Sequence, residues 1–90
     1  MSQTIDEEDI QNVLHGLMEF LCKNTRHNAT TDFEIEQIRV EKFPAISNQD
    51  YFNRIVTIIA ERFIEIELRG SLVRLSPGGL NNCERYITNL

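Results

Sequence analysis

Near the start of the chain, apolar residues fall at Ile10, Val13, Leu14, Leu17, Met18 and Leu21. Steps alternating three and one hold them on one face of a 3.6-residue repeat, which predicts a helix over about residues 6–23. Asp6, Glu7, Glu8 and Asp9 make its first turn acidic, as the positive end of a helix dipole favours. Gly16 in its middle costs about 1 kcal/mol relative to alanine and points to a close approach by another helix. A polar stretch follows, and then Thr31 and Glu34 stand at capping-box spacing, predicting a second helix over residues 32–42 with Ile35 and Ile38 inward. Phe33-Glu34-Ile35-Glu36 also alternates as a strand would, until the pattern slips between Gln37 and Ile38. Pro44 closes the element under either reading.

The next stretch has the widest apolar face. Ser47 and Asp50 are spaced as a second capping box, and they open a helix over residues 48–62. Tyr51, Phe52, Ile55, Val56, Ile58, Ile59 and Phe63 share one broad arc of it, which marks a central buried helix. Gln49, Asp50, Asn53, Arg54, Thr57 and Glu61 are left on the other side, open to a partner. Ile64, Ile66 and Leu68 then alternate with charges, and a second short apolar run ends at Leu75, so a two-stranded hairpin is expected. With Arg69-Gly70 as its turn, Ile66 faces Val73, Ile64 faces Leu75, and Glu65 pairs with Arg74 on the outer side. Ser76-Pro77 is a helix start: a hydroxyl to cap free N–H groups, then a proline where no hydrogen bond is lost. Leu80, Cys83, Ile87 and Leu90 carry that last helix onward at steps of three, four and three.

Composition limits what these elements can build. Ninety residues with 41% apolar and 26% charged side chains make a single packed domain over residues 1–90, of α+β class and mostly helical. No apolar run approaches the roughly 20 residues of a membrane span, so no membrane partner is expected. The acidic start lacks the basic flank of a signal peptide, and the expected location is cytoplasmic. Cys22 and Cys83 lie far apart among apolar neighbours and read as buried free thiols, with a bridge between them as the alternative. The net charge of −5 belongs wholly to residues 1–46, while the second half is balanced, its cations all arginine.

Catalytic chemistry finds little footing. His15 lies inside the first helix and His27 in a polar loop, and Cys22 with His27 matches no common zinc spacing. Ser76 lies outside any nucleophile-elbow pattern, and no lysine follows Gly78-Gly79 as a phosphate loop requires. The expectation is a non-enzyme without cofactor or metal.

The predicted order is three helices, a short hairpin and a C-terminal helix. It resembles the winged helix-turn-helix superfamily, most closely from Ser47 onward. Leu75-Ser76-Pro77-Gly78-Gly79 is similar to the Leu-Thr-x-x-Gly passage by which many winged-helix regulators enter their last helix. Two features depart from that pattern: Ile59-Ala60-Glu61-Arg62 runs into Phe63 without the usual glycine, and the wing has only Arg69-Gly70 at its tip. The resemblance implies a transcription-regulator-like protein that binds double-stranded DNA, with Gln49, Asn53, Arg54 and Thr57 facing the major groove and Arg69 on the wing. The residues themselves point also to an alternative, a protein-interaction or homodimerisation module without DNA binding. Its support is the acidic first half and the four-three-four spacing of Ile10, Leu14, Leu17 and Leu21, with a similar stripe in the last helix.

Overall fold

Asp6 opens the first helix by accepting a hydrogen bond from the Glu8 N–H at 2.9 Å. In the computed structural model, which describes residues 4–25 and 31–87, this helix, α1, runs Glu7–Thr25. All six residues of its apolar stripe are buried inside the chain itself, which leaves no α1 seam free for a second helix. Gly16 does mark a close approach, but the neighbour is a ring rather than a helix: a Cβ there would lie 2.6 Å from the Phe43 side chain.

The segment after it is both strand and helix. Phe33–Glu34 form β1 and Ile35–Lys42 form α2, so the expected helix over residues 32–42 begins three residues late. Thr31 and Glu34 make no capping box; Glu34 occupies the cap position without a side-chain bond. The cause is long-range, because Phe33 and Glu34 pair antiparallel with Val73 and Leu72, and that ladder competes with the helix for their backbone groups. Arg39 then fastens the end of α2, donating to Glu36 and to the Ile46 carbonyl at 2.7 Å. This hydrogen-bonded pairing holds the Glu36 carboxyl below its ordinary range and raises the Arg39 guanidinium.

Helix α3, Gln49–Phe63, is the central one. Its cap is Asn48, not Ser47, with the Asn48 side chain accepting from the Tyr51 N–H at 3.0 Å. Phe52, Ile55, Val56 and Ile59 are buried against α1, while Tyr51, Ile58 and Phe63 sit at the margin of that core. A buried side chain of Phe52's size contributes about 3 kcal/mol of apolar transfer energy.

The helix ends on an unusual residue. Ile64 is in the left-handed region, at φ 56° and ψ 25°, and is 74% exposed. That conformation costs a β-branched residue about 1–2 kcal/mol, which explains why related turns favour glycine there. The expected facing of Ile64 on Leu75 is therefore not formed. Two bonds from Ser76 hold the bend: its hydroxyl donates to the Ile64 carbonyl at 2.8 Å and its N–H to the Glu65 carbonyl at 3.0 Å.

Strands β2, Ile66–Arg69, and β3, Leu72–Leu75, make the hairpin, and β1 adds a third strand, giving an antiparallel sheet of order β1-β3-β2. The two-stranded expectation missed β1. The register also differs by two residues: Ile66 faces Leu75, Leu68 faces Val73, and Glu67, not Glu65, pairs with Arg74 at 3.0 Å. The turn is Gly70-Ser71, because Gly70 takes the positive φ of 61° that a two-residue turn of the II′ kind needs at its first central position. A shift by an even number keeps the apolar side chains on the same face, so the core-facing set Ile66, Val73 and Leu75 survives it.

The C-terminal segment is shorter than its stripe implies. Ser76 caps helix α4, Pro77–Asn81, accepting from the Gly79 N–H at 3.0 Å, but a separate 3-10 turn over Cys83–Arg85 follows in place of a continuous helix. Gly78, Gly79, Asn81 and Asn82 are poor helix formers and stop it early. Leu90 lies outside the described residues, as does His27. Cys22 and Cys83 are joined in a disulfide with Cα atoms 5.7 Å apart, which corrects the expectation of free thiols. Folding brings the end of α1 beside the 3-10 turn, a proximity that a sequence separation of 61 conceals. No described helix is long and apolar enough to cross a membrane.

Candidate binding surface

The exposed side of α3 meets the hairpin turn and the start of α2 in a shallow groove. Gln49, Asn53 and Thr57 form its helical wall, Ile35 and Glu36 its α2 end, and Leu68, Gly70 and Ser71 the hairpin wall. Beside it, Asn53, Arg54, Thr57 and Ile58 border a second depression with a mostly apolar lining. Four of the five candidate residues, Gln49, Asn53, Arg54 and Thr57, thus stand exposed along one strip of α3. Arg69 does not join them. Along β2 it alternates with the groove-lining Leu68, so it occupies the outer face of the sheet with Glu67.

The groove walls supplied by Ile35, Leu68 and Ser71 were not visible as site residues in the sequence. They become neighbours of α3 only once β1 has paired with β3, and the strict alternation of Phe33 to Glu36 was the one local sign of that strand.

Electrostatically the face is close to neutral. On the exposed side of α3, Arg54 stands with Asp50 and Glu61. Arg62, at the end of the same helix, is paired with Glu7 of α1 at 2.6 Å. Arg39 is paired with Glu36, Arg74 with Glu67 and Lys23 with Glu19. Lys42 lies over the Phe20 ring at 5.7 Å. The acids of the first turn of α1 reach the α3 side too: the Tyr51 hydroxyl donates to Asp9 at 2.6 Å, and that bond raises the Tyr51 pKa.

A second polar cluster sits behind the hairpin. Glu65, expected on the outer strand face, is buried at 6% exposure and accepts from the Tyr86 hydroxyl at 2.5 Å and the Asn82 amide at 3.1 Å. The left-handed bend at Ile64 is what turns it inward. Burial, then the Glu65 carboxylate, push the Tyr86 hydroxyl up to about 12. His15 packs its ring edge-on against Tyr86 at 5.4 Å. These bonds satisfy one another and tie the last segment to Glu65. Among the described residues, no group of three or more His, Cys, Asp or Glu is placed to hold a metal ion. Comparison of the chain with protein-family models, with curated proteins and with solved structures gave no match.

Proposed function

We propose that this chain is a small non-enzymatic binding domain of winged-helix type, and that its α3-to-hairpin groove takes a segment of a protein partner. The scaffold reading is supported by the element order, with β1 between α1 and α2, and by the sheet order β1-β3-β2. The observation that carries the choice of partner is the charge of the α3 face. A DNA reader needs several cations aimed at phosphates, and here Arg54 faces Asp50 and Glu61 while Arg62, Arg39 and Arg74 are held by acids of the chain itself. A groove with Ile35 and Leu68 among amide and hydroxyl side chains, and Ile58 in the depression beside it, suits an extended peptide of mixed polarity. For the compartment, the Cys22–Cys83 bond favours an oxidising setting over the cytoplasm, where thiols are kept reduced.

DNA binding is the second reading, favoured by the alignment of Gln49, Asn53, Arg54 and Thr57 along one exposed strip. The two separate in one pair of measurements. A peptide-display selection against the folded domain should return sequences whose binding is lost in Asn53→Lys, while duplex DNA at low salt shows no affinity. Duplex binding that weakens steeply with salt and disappears in Arg54→Ala would reverse the choice.

A further inference from the structure

One edge strand of the sheet has no strand neighbour on its outer side among the described residues, and its side chains are complementary to themselves. Strand β2 stands at the end of the order β1-β3-β2. Two bonds beyond the strands fix which way its backbone groups point: the Ser76 N–H donates to the Glu65 carbonyl at 3.0 Å, and the Ile35 N–H donates to the Ser71 carbonyl at 3.0 Å. Even-numbered residues of β3 therefore turn toward β2, and odd-numbered ones toward β1. Glu67 and Arg69, opposite Arg74 and Leu72, spend their N–H and C=O groups on β3. Leu68 turns both of its groups outward, where they meet no other backbone among the described residues.

We propose that β2 pairs antiparallel with β2 of a second copy about a two-fold axis at Leu68. Leu68 then exchanges its N–H and C=O with the second copy's Leu68. Glu67 lies directly opposite the second copy's Arg69, and Arg69 opposite the second copy's Glu67. Each Glu67 sits between its own Arg74, at 3.0 Å, and a guanidinium across the axis. Arg69, exposed and without an ion pair among the described residues, gains a carboxylate. The outward phase allows slips by two residues only in the sum of paired positions, and each neighbouring register is penalised. One slip sets Glu67 against Glu67, the other Arg69 against Arg69, and like charges directly opposite repel. The charges thus select one register, and the two-fold closes the assembly at two copies. The pairing uses the backbone edge of β2, although the Leu68 side chain also lines the α3 groove, and it rests on no reading of what that groove binds.

Sedimentation equilibrium over a concentration series tests it. The wild-type chain is expected to show a reversible monomer–dimer equilibrium. R69E and E67R should each weaken the dimer by about tenfold or more, since both cross-strand pairs turn repulsive. An equimolar mixture of the two variants should recover it, because opposite charges then face each other at both positions. R69E removes no internal ion pair, so its result stands alone even where E67R, which also loses Arg74, is less stable. A wild-type chain that stays monomeric, a dimer that neither substitution weakens, or a mixture that fails to recover would each overturn the proposal.

Discussion

The α1–α3 pair and the segment from Ser76 to Ile87 are held by different forces. Between α1 and α3 the contact is apolar and repetitive, with Leu17, Met18 and Leu21 on one side and Phe52, Ile55 and Ile59 on the other, all 1% exposed or less. The last segment has only a five-residue helix and a 3-10 turn, and among its apolar side chains only Ile87 is buried, at 7% exposure. It is fixed instead by directed bonds: the disulfide, the Glu65 cluster, the Ser76 hydroxyl and a backbone contact at Gly79. A long element can be secured by area alone. A short one buries too little, and each of its few attachments becomes specific.

The largest expected effect lies in the apolar region. Phe52→Ala should lose about 3–5 kcal/mol, seen in urea denaturation as a lower midpoint for the whole domain, because the cavity opens at the centre of the core. Next comes the covalent attachment. Cys22→Ala with Cys83→Ala should cost about 2–4 kcal/mol, with hydrogen exchange rising first in residues 76–87 while α1 and α3 stay protected. Equal loosening of both regions would break the contrast. Gly79→Ala follows, since its Cβ would stand 2.0 Å from the Glu65 carbonyl oxygen, which neither backbone can yield cheaply. A loss of about 1–3 kcal/mol is expected, again with exchange confined to the last segment.

The smallest effect is a pH dependence. Tyr86 titrates at about 12 in the folded chain, above the roughly 10 of an unfolded tyrosine. The folded state therefore keeps its proton longer, so this stabilisation is fully present below about pH 10 and is lost as pH rises toward 12. Tyr86→Phe should flatten the fall in denaturation midpoint over that window. Tyr51, also raised, should leave a residual slope.

The same contrast governs what the sequence revealed. The stripes of α1 and α3 are periodic over many residues, and their burial followed directly from spacing. The Ser76-Pro77 start was legible because its capping chemistry is local. Beyond it, steps of three and four through Leu80, Cys83 and Ile87 suggest one helix, although Leu80 lies in the short helix, Cys83 in the 3-10 turn and Ile87 after it. The strand at Phe33–Glu34 is hard to read because its alternation slips between Gln37 and Ile38 and a two-residue strand carries too little period of its own. In the hairpin, Gly70 suits either turn, but an Arg69-Gly70 turn of the I′ kind would also need a positive φ at Arg69, which that residue does not take. Of the candidate surface, the α3 strip was read from the face left polar. The groove beside it depends on that strand and that register, and neither is written locally.

The disulfide also sets how the domain carries a load. It closes a covalent ring over a sequence separation of 61 that contains α2, α3, all three strands and α4. Tension applied to the chain outside the ring passes from Cys22 to Cys83 through sulfur and bypasses everything between them. Pulled in this way, the oxidised molecule should peel most of α1 and then stop short, a spring with a fixed limit of travel. Only under a reductant would the sheet and α3 enter the extension.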